Sequence, residues 1–263
     1  MRTSAVGRRC SWNDLLEFCA NLEAVVIPNH DPVWQAWYIF RIATRTYGQY
    51  CGLAYALELV GEKWALLIVR DLILGPKRFT DLRRSLPRIP SNVLSARLKA
   101  LEQTGIVRRR LLPRPRTGVV YELTEYGSEL EDVVLRLGLW GARSLGEPRA
   151  EEIVTPDSLL LALRATFRPE AARELRASFE LRLGPIVIHA RVNKGTLEVA
   201  EGPLRDADLS LETDLAIRSL MSGELSPDEA IKSGRVRVTG NRDLLTRFVD
   251  VFHIPPTPVA VPA

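Results

Sequence analysis

The sequence predicts an α+β fold in two successive domains, and three observations carry that prediction. Between Gly61 and Leu123 two short helix patterns are joined by a Pro-rich turn, and a β-hairpin pattern with an Arg-rich tip follows directly. From Glu147 to Pro156 a polar link with two prolines breaks the pattern. Beyond it, strand-like runs and amphipathic helices succeed one another to about Ile254.

Composition bounds the class. With 263 residues, 46% hydrophobic and 26% charged, the chain has the make-up of a soluble globular protein. Its net charge of +4 hides an uneven distribution: Gly75–Gly118 alone carries +10, so the remainder is acidic. A basic segment on an acidic chain is the electrostatic footprint of a polyanion partner. Three cysteines, Cys10, Cys19 and Cys51, make no disulfide framework and lack zinc spacing, which suits a reducing cytoplasm. No apolar run is long enough to span a bilayer, and Asn13, Asp14 and Glu17 interrupt any signal-peptide core. A cytoplasmic protein without a membrane partner is expected.

The elements follow in order. Residues 1–46 form an N-terminal extension with three tryptophans and a Pro-broken stretch at 27–32. It reads either as a disordered extension or as the product of a start codon placed too far upstream. Residues 47–146 form the first domain. Cys51–Val60 is apolar at helical spacing, and Trp64–Leu74 is apolar nearly all round, as a buried helix is. Gly75-Pro76 stops it. Phe79–Leu86 is a short helix, 87–90 a turn, and Ser91 is the expected N-cap of a helix ending at Gly105. Ile106–Leu112 and Val119–Leu123 are strands, and Thr124 caps a long amphipathic helix through Trp140. Residues 147–156 are a linker. Residues 157–254 form the second domain, with a helix at 157–167, four strands between 178 and 212, two or three helices in 213–233, a strand at 235–239 and a helix at 242–252. The tail, 255–263, is Pro-rich and expected to be disordered.

Helix, turn, helix and basic hairpin in that order make a winged helix-turn-helix. In the Ser91–Thr104 helix, Leu94, Leu98 and Leu101 share the anchoring face, and Asn92, Ala96, Lys99 and Gln103 lie opposite with Ser95 and Arg97 on the flanks. Asn92 suits adenine and Arg97 guanine, the small Ser95 and Ala96 permit close approach to double-stranded DNA, and Ser91 is a further DNA-binding candidate. Lys77, Arg78 and Lys99 are expected to contact phosphate, and Arg114 and Arg116 to reach along the backbone or minor groove.

These residues carry a resemblance. Cys51, the Gly61-Glu62-Lys63-Trp64 motif, Leu74–Phe79, Pro90–Leu94 with Arg97-Leu98 and Leu101-Glu102, Gly105–Val107 and Tyr121–Thr124 resemble the HxlR-type winged-helix transcriptional regulators. The resemblance implies a homodimer paired through the terminal helices of this domain. Some members sense oxidants through a cysteine near the position of Cys51, which makes Cys51 a candidate redox residue; inert packing is the alternative.

The second domain offers only His189 and His253 and no cysteine, with no catalytic array, phosphate loop or metal cluster. An enzyme, a metal or a cofactor is therefore not expected. Residues 206–252 look like the sterol-carrier-protein-like fold, which completes the expected order: a winged helix-turn-helix domain, then a sterol-carrier-protein-like α/β domain. That resemblance implies an apolar ligand such as a fatty acyl chain or sterol, lined by Leu215, Leu220, Met221, Ile231, Leu244, Leu245 and Phe248. Ordinary core is the competing reading for each. The expected function is a dimeric DNA-binding regulator modulated by an apolar ligand. Two alternatives stay open: redox control through Cys51 with a structural second domain, and a lipid carrier or acyl-handling protein that uses its winged helix for protein contacts.

Overall fold

A computed structural model describes residues 46–113, 117–146, 149, 152–214 and 216–257. The expectations for residues 1–45, Arg114, Arg116, Leu215 and 258–263 lie outside them. The chain divides into two units, 1–58 and 59–263.

Helix α1 (Gly52–Val60) runs across that division. In the second unit, α2 (Ala65–Ile73), α3 (Phe79–Ser85) and α4 (Ser91–Gln103) come first. The hairpin β1 (Val107–Leu112) and β2 (Gly118–Leu123) follows, in antiparallel register with Val107 opposite Leu123. Lys77 adds a short third rung. Its N–H donates to the Tyr121 carbonyl at 2.9 Å, and its carbonyl accepts from Tyr121 at 2.8 Å. Leu82, Leu94, Leu98, Leu101 and Ile106 are completely buried with Ile68 and Val69 of α2, so the 3.6-residue leucine spacing of α4 does anchor it.

Two expectations about helix ends are corrected. Pro90, not Ser91, is the N-cap of α4: Pro90 is extended, and its carbonyl accepts from Leu94 at 2.9 Å, so helical bonding begins one residue early. The expected long helix after Thr124 is two: α5 (Glu125–Ser128) and α6 (Leu130–Ala142). Thr124 is the cap as expected, its Oγ1 accepting from the Gly127 N–H at 3.0 Å. The C-terminal stop at Gly105 has a full structural basis. Gly105 takes a left-handed φ of 72°, its N–H donates to the Glu102 carbonyl, and Ile106 N–H donates to the Leu101 carbonyl.

Helix α7 (Pro156–Thr166) opens the second half, with Thr155 and Ser158 capping reciprocally. Strands β3 (Arg176–Leu183), β4 (Ile186–Asn193), β5 (Thr196–Glu201), β6 (Leu209–Thr213) and β7 (Val236–Gly240) form one sheet in the order β5-β4-β3-β6-β7. Only β3 and β6 pair in parallel. Helices α8 (Ala216–Ser222) and α9 (Pro227–Lys232) connect β6 to β7, and α10 (Leu244–Val251) closes the described helices. The predicted α+β class is what the chain adopts. Phe179, Phe248 and Phe252 form the centre of the core, with edge-on and tilted ring pairs at 4.8–6.2 Å. Residues 255–257 are tied down rather than loose: the Pro256 carbonyl accepts from the Arg143 guanidinium at 2.6 Å, and Thr257 Oγ1 donates to the Arg143 carbonyl.

Candidate functional site

Helix α4 presents one exposed polar row. Asn92, Ser95, Ala96, Lys99 and Gln103 are all exposed, opposite the buried Leu94, Leu98 and Leu101. Ser91 is exposed in the first turn, where the leading amides lack intrahelical partners and favour an anion. The row is short at its N-terminal end and cationic further along, which fits close contact with bases first and phosphate second.

Two expected contacts are placed elsewhere. Arg97 is held by the turn before α2: its Nη2 pairs with Glu62 at 2.6 Å and its Nε donates to the Lys63 carbonyl at 3.2 Å. With 22% of its side chain exposed, Arg97 braces α4 rather than reaching outward. The same turn sets Trp64 in the left-handed region, φ 81°, an uncommon conformation for a bulky residue, with Lys63 Nζ 5.6 Å from its ring centre. Lys77 pairs with Asp157 of α7 at 2.9 Å, and both side chains are largely covered. Arg78 remains exposed, and its Nη2 donates to the Thr117 carbonyl at the base of the hairpin tip.

The hairpin is braced by its own charges. Glu122 accepts from Arg108 and Arg110, each at 2.8 Å, and Arg109 donates to Glu102 of α4. The Arg110 hydrogen bond, aided by Arg108 against the opposing effect of burial, holds the Glu122 carboxyl below the usual carboxylate range. A carboxyl depressed in the folded state stabilises above its unfolded value, and that contribution is lost as pH falls through the folded one. The thermal midpoint of Glu122→Gln is therefore expected to lie roughly 2–4 °C below wild type at neutral pH, what about 1 kcal/mol corresponds to in a chain this size. The gap is expected to close below about pH 4.3. Thermal melts across pH measure it, and a gap that does not change with pH would show the pair to be idle.

Asp71 is a buried group that sequence reasoning passed over inside an apolar helix. It is fully buried on α2, accepts from Ser85 Oγ of α3, and pairs with Arg70 at 2.7 Å. Burial pushes its carboxyl up, against the pull of Arg70 and Ser85. It links α2 to α3.

A cavity of about 540 Å³ lies between α6 and α7. Its wall takes Leu66, Leu67 and Arg70 from α2, Val134 and Gly138 from α6, and Leu159 and Leu163 from α7. Leu181, Leu183 and Ile188 of the sheet, with Ile217, Arg218 and Met221 of α8, complete it. Of the expected lining, Met221 is there. Leu220, Leu245 and Phe248 are instead packed in the core, and Ile231 and Leu244 lean on that core from outside. His189 Nδ1 lies 2.9 Å from the Gly202 carbonyl, a structural tie. Among the described residues no cluster of His, Cys, Asp and Glu can hold a metal ion, and no helix is long and apolar enough to cross a membrane.

In the first unit Cys51 is exposed just before α1, and backbone hydrogen bonds from Ala54 and then Leu53 pull its thiol below the usual value. On α6, Val133, Leu137 and Trp140 are exposed at helical spacing, Trp140 by 69%, and Leu137 also borders the cavity.

Three helices with a buried leucine seam, an exposed polar row on the third and a braced hairpin behind it define a winged helix-turn-helix. Residues 59–148 match the model described as HxlR-like helix-turn-helix, and residues 160–253 match that of the SCP-2 sterol transfer family. Among relatives, the HTH-type transcriptional regulator YodB of Bacillus subtilis is 41% identical over 85 residues, which are 32% of this chain and 76% of YodB. The uncharacterized HTH-type transcriptional regulator YkvN of the same organism is 35% identical over 112 residues, 41% of this chain and 95% of YkvN. The chain belongs to the HxlR-like helix-turn-helix family, as a transcriptional regulator of winged-helix type.

Proposed function

We propose that the protein is a homodimeric, cytoplasmic regulator without enzymatic activity, reading operator DNA through residues 47–146 and sensing an apolar small molecule through residues 157–254. The exposed row Asn92, Ser95, Ala96 and Lys99 carries the reading, because it is an open polar face on a helix fixed from behind by three buried leucines. Asn92 reads adenine, Lys99 and Arg78 position the backbone, and Arg114 and Arg116 extend that positioning. Arg97 serves by holding α4 in place. The apolar stripe Val133, Leu137 and Trp140 supports pairing of two α6 helices about a two-fold axis, which presents two reading helices to successive half-sites. A ligand acts only through different affinities for the DNA-competent and incompetent states. The α2 and α6 walls of the cavity belong to the reader, which gives an occupant a route to those states.

Binding of the purified full chain to fragments selected from a random duplex pool tests the reading. Affinity is expected to fall steeply with salt, since each neutralised phosphate contributes about −0.9 to the slope of log K on log salt. Asn92→Ala is expected to relax sequence preference by about 1–3 kcal/mol at one position. Arg114→Ala with Arg116→Ala is expected to weaken all sequences alike. Salt-insensitive binding would favour a lipid carrier that uses the winged helix for protein contacts.

A second reading rests on Cys51, whose exposed thiol is depressed by backbone donors, as a reactive cysteine requires. Cys51→Ser removes an oxidant response under that reading and leaves a lipid response intact.

A further inference from the structure

We infer that the cavity between α6 and α7 is a composite site for a single-chain carboxylate amphiphile, with Arg218 as the residue that selects its charged head. The inference rests on the reading that this protein takes an apolar ligand, and it adds where that ligand sits and what its head must be.

The observation behind it is Arg218. This arginine lines an otherwise strongly apolar cavity, and its Nε is buried with no hydrogen-bond partner, the one such side-chain atom among the described residues. Both of its bonds to Glu224, at 2.8 and 3.0 Å, leave through Nη1. That leaves the edge of the guanidinium formed by Nε and Nη2, a fork matched to the two oxygens of a carboxylate. A buried cationic donor without an acceptor is unfavourable unless something supplies one. Arg70, the other arginine of the wall, is engaged through both Nε and Nη2 by Asp71. The two are therefore not equivalent: Arg70 is satisfied from within, and Arg218 is not.

The rest of the wall describes the tail. The side chains around it are chiefly Leu, Ile, Val and Ala, and about 540 Å³ falls within the roughly 300–1,000 Å³ of small-molecule sites. The wall is completed across the boundary between the two matched families, by Leu66 and Leu67 of α2 and Val134 and Gly138 of α6. Ion pairs of Lys77 with Asp157 and of Glu131 with Arg164 hold the two halves together around it. The space is thus shared by the reader and the following segment, and each supplies part of its wall.

The experiment is calorimetric titration of the full chain, without DNA, with tetradecanoate, its methyl ester and cholesterol. The acid is expected to bind at least tenfold tighter than the ester to the wild type. Arg218→Met is expected to bring acid and ester to equal affinity while keeping the ester. Gly138→Leu is expected to weaken both at least tenfold; a Cβ at Gly138 meets nothing within 4 Å, and thermal melts verify that the variant folds. Equal binding of acid and ester to the wild type, or preference for cholesterol, overturns the inference whatever the variants do. DNA affinity is measured separately without lipid. Loss of DNA binding with the acid preference intact sinks the regulatory reading and leaves this site standing, and DNA binding without acid binding does the reverse.

Discussion

Ser95→Glu is expected to reduce DNA affinity at least about a hundredfold while leaving the fold intact. Ser95 is exposed on the outward row of α4, between Asn92 and Lys99, so the substitution disturbs no packed contact. Glutamate is also a good helix former. The effect is therefore confined to the bound state. There a carboxylate enters a groove lined by phosphates, and like-charge juxtaposition across an interface costs several kcal/mol, with each 1.4 kcal/mol worth tenfold. Ser95→Ala is the matched control and is expected to change affinity little. Thermal melts verify folding and a binding isotherm on the selected fragment reads the outcome. Wild-type affinity in Ser95→Glu would place the reading surface on a face other than α4.

Under the proposed reading, the basic segment meets DNA with only part of its charge. Four of its arginines are committed internally: Arg97 to Glu62, Arg108 and Arg110 to Glu122, and Arg109 to Glu102. Arg97 and Arg109 fix α4 to the turn before α2 and to the hairpin, and Arg108 and Arg110 tie the two hairpin strands together. Exposed pairs of this kind add little stability singly. Their value lies in geometry, since a base contact needs its helix held to a fraction of an ångström.

What was legible in the sequence had local causes. The faces of α4 follow from leucine spacing, and its end follows from Gly105, because both depend on residues within a few positions. For Lys77 and Arg97 the structure shows partners that lie far along the chain. Glu62 stands 35 residues before Arg97, and Asp157 stands 80 residues after Lys77. No pattern around either cation announces those partners. Leu220, Ile231, Leu244, Leu245 and Phe248 lie in or against the core rather than on the cavity for a related reason. An apolar residue in an amphipathic helix can face a cavity or fill a core, and periodicity does not separate the two. Phe248 fills the core against Phe179 and Phe252, while the cavity draws on α6 and α7, helices on either side of the linker. The junction at Glu129 leaves no mark in the apolar pattern, because the helical spacing begins only at Leu130, just after it.

Gly127→Ala is expected to destabilise the chain by more than about 4 kcal/mol, well beyond the usual 0.5–3 kcal/mol of a single substitution. In a helix pattern this glycine reads as a mere weak point, and replacement by alanine ordinarily gains up to about 1 kcal/mol. Its φ is not left-handed, so strain at that angle is not the reason. The reason is approach: a Cβ on Gly127 would stand 2.0 Å from the Ile106 carbonyl oxygen and 2.9 Å from its carbon. That carbonyl is backbone and already accepts from the Thr124 N–H at 3.0 Å, so it cannot swing aside as a side chain would. To make room, α5 must lift from the root of the hairpin. The Thr124 cap on Gly127 and the start of α6 would move with it. Chemical denaturation measures the loss, and the oligomeric state of whatever folds measures its reach, because α6 carries the apolar stripe assigned to dimer pairing. A neutral or stabilising Gly127→Ala would mean that α5 does not pack against Ile106 in solution, and the placement of α6 on the reader would have to be redrawn.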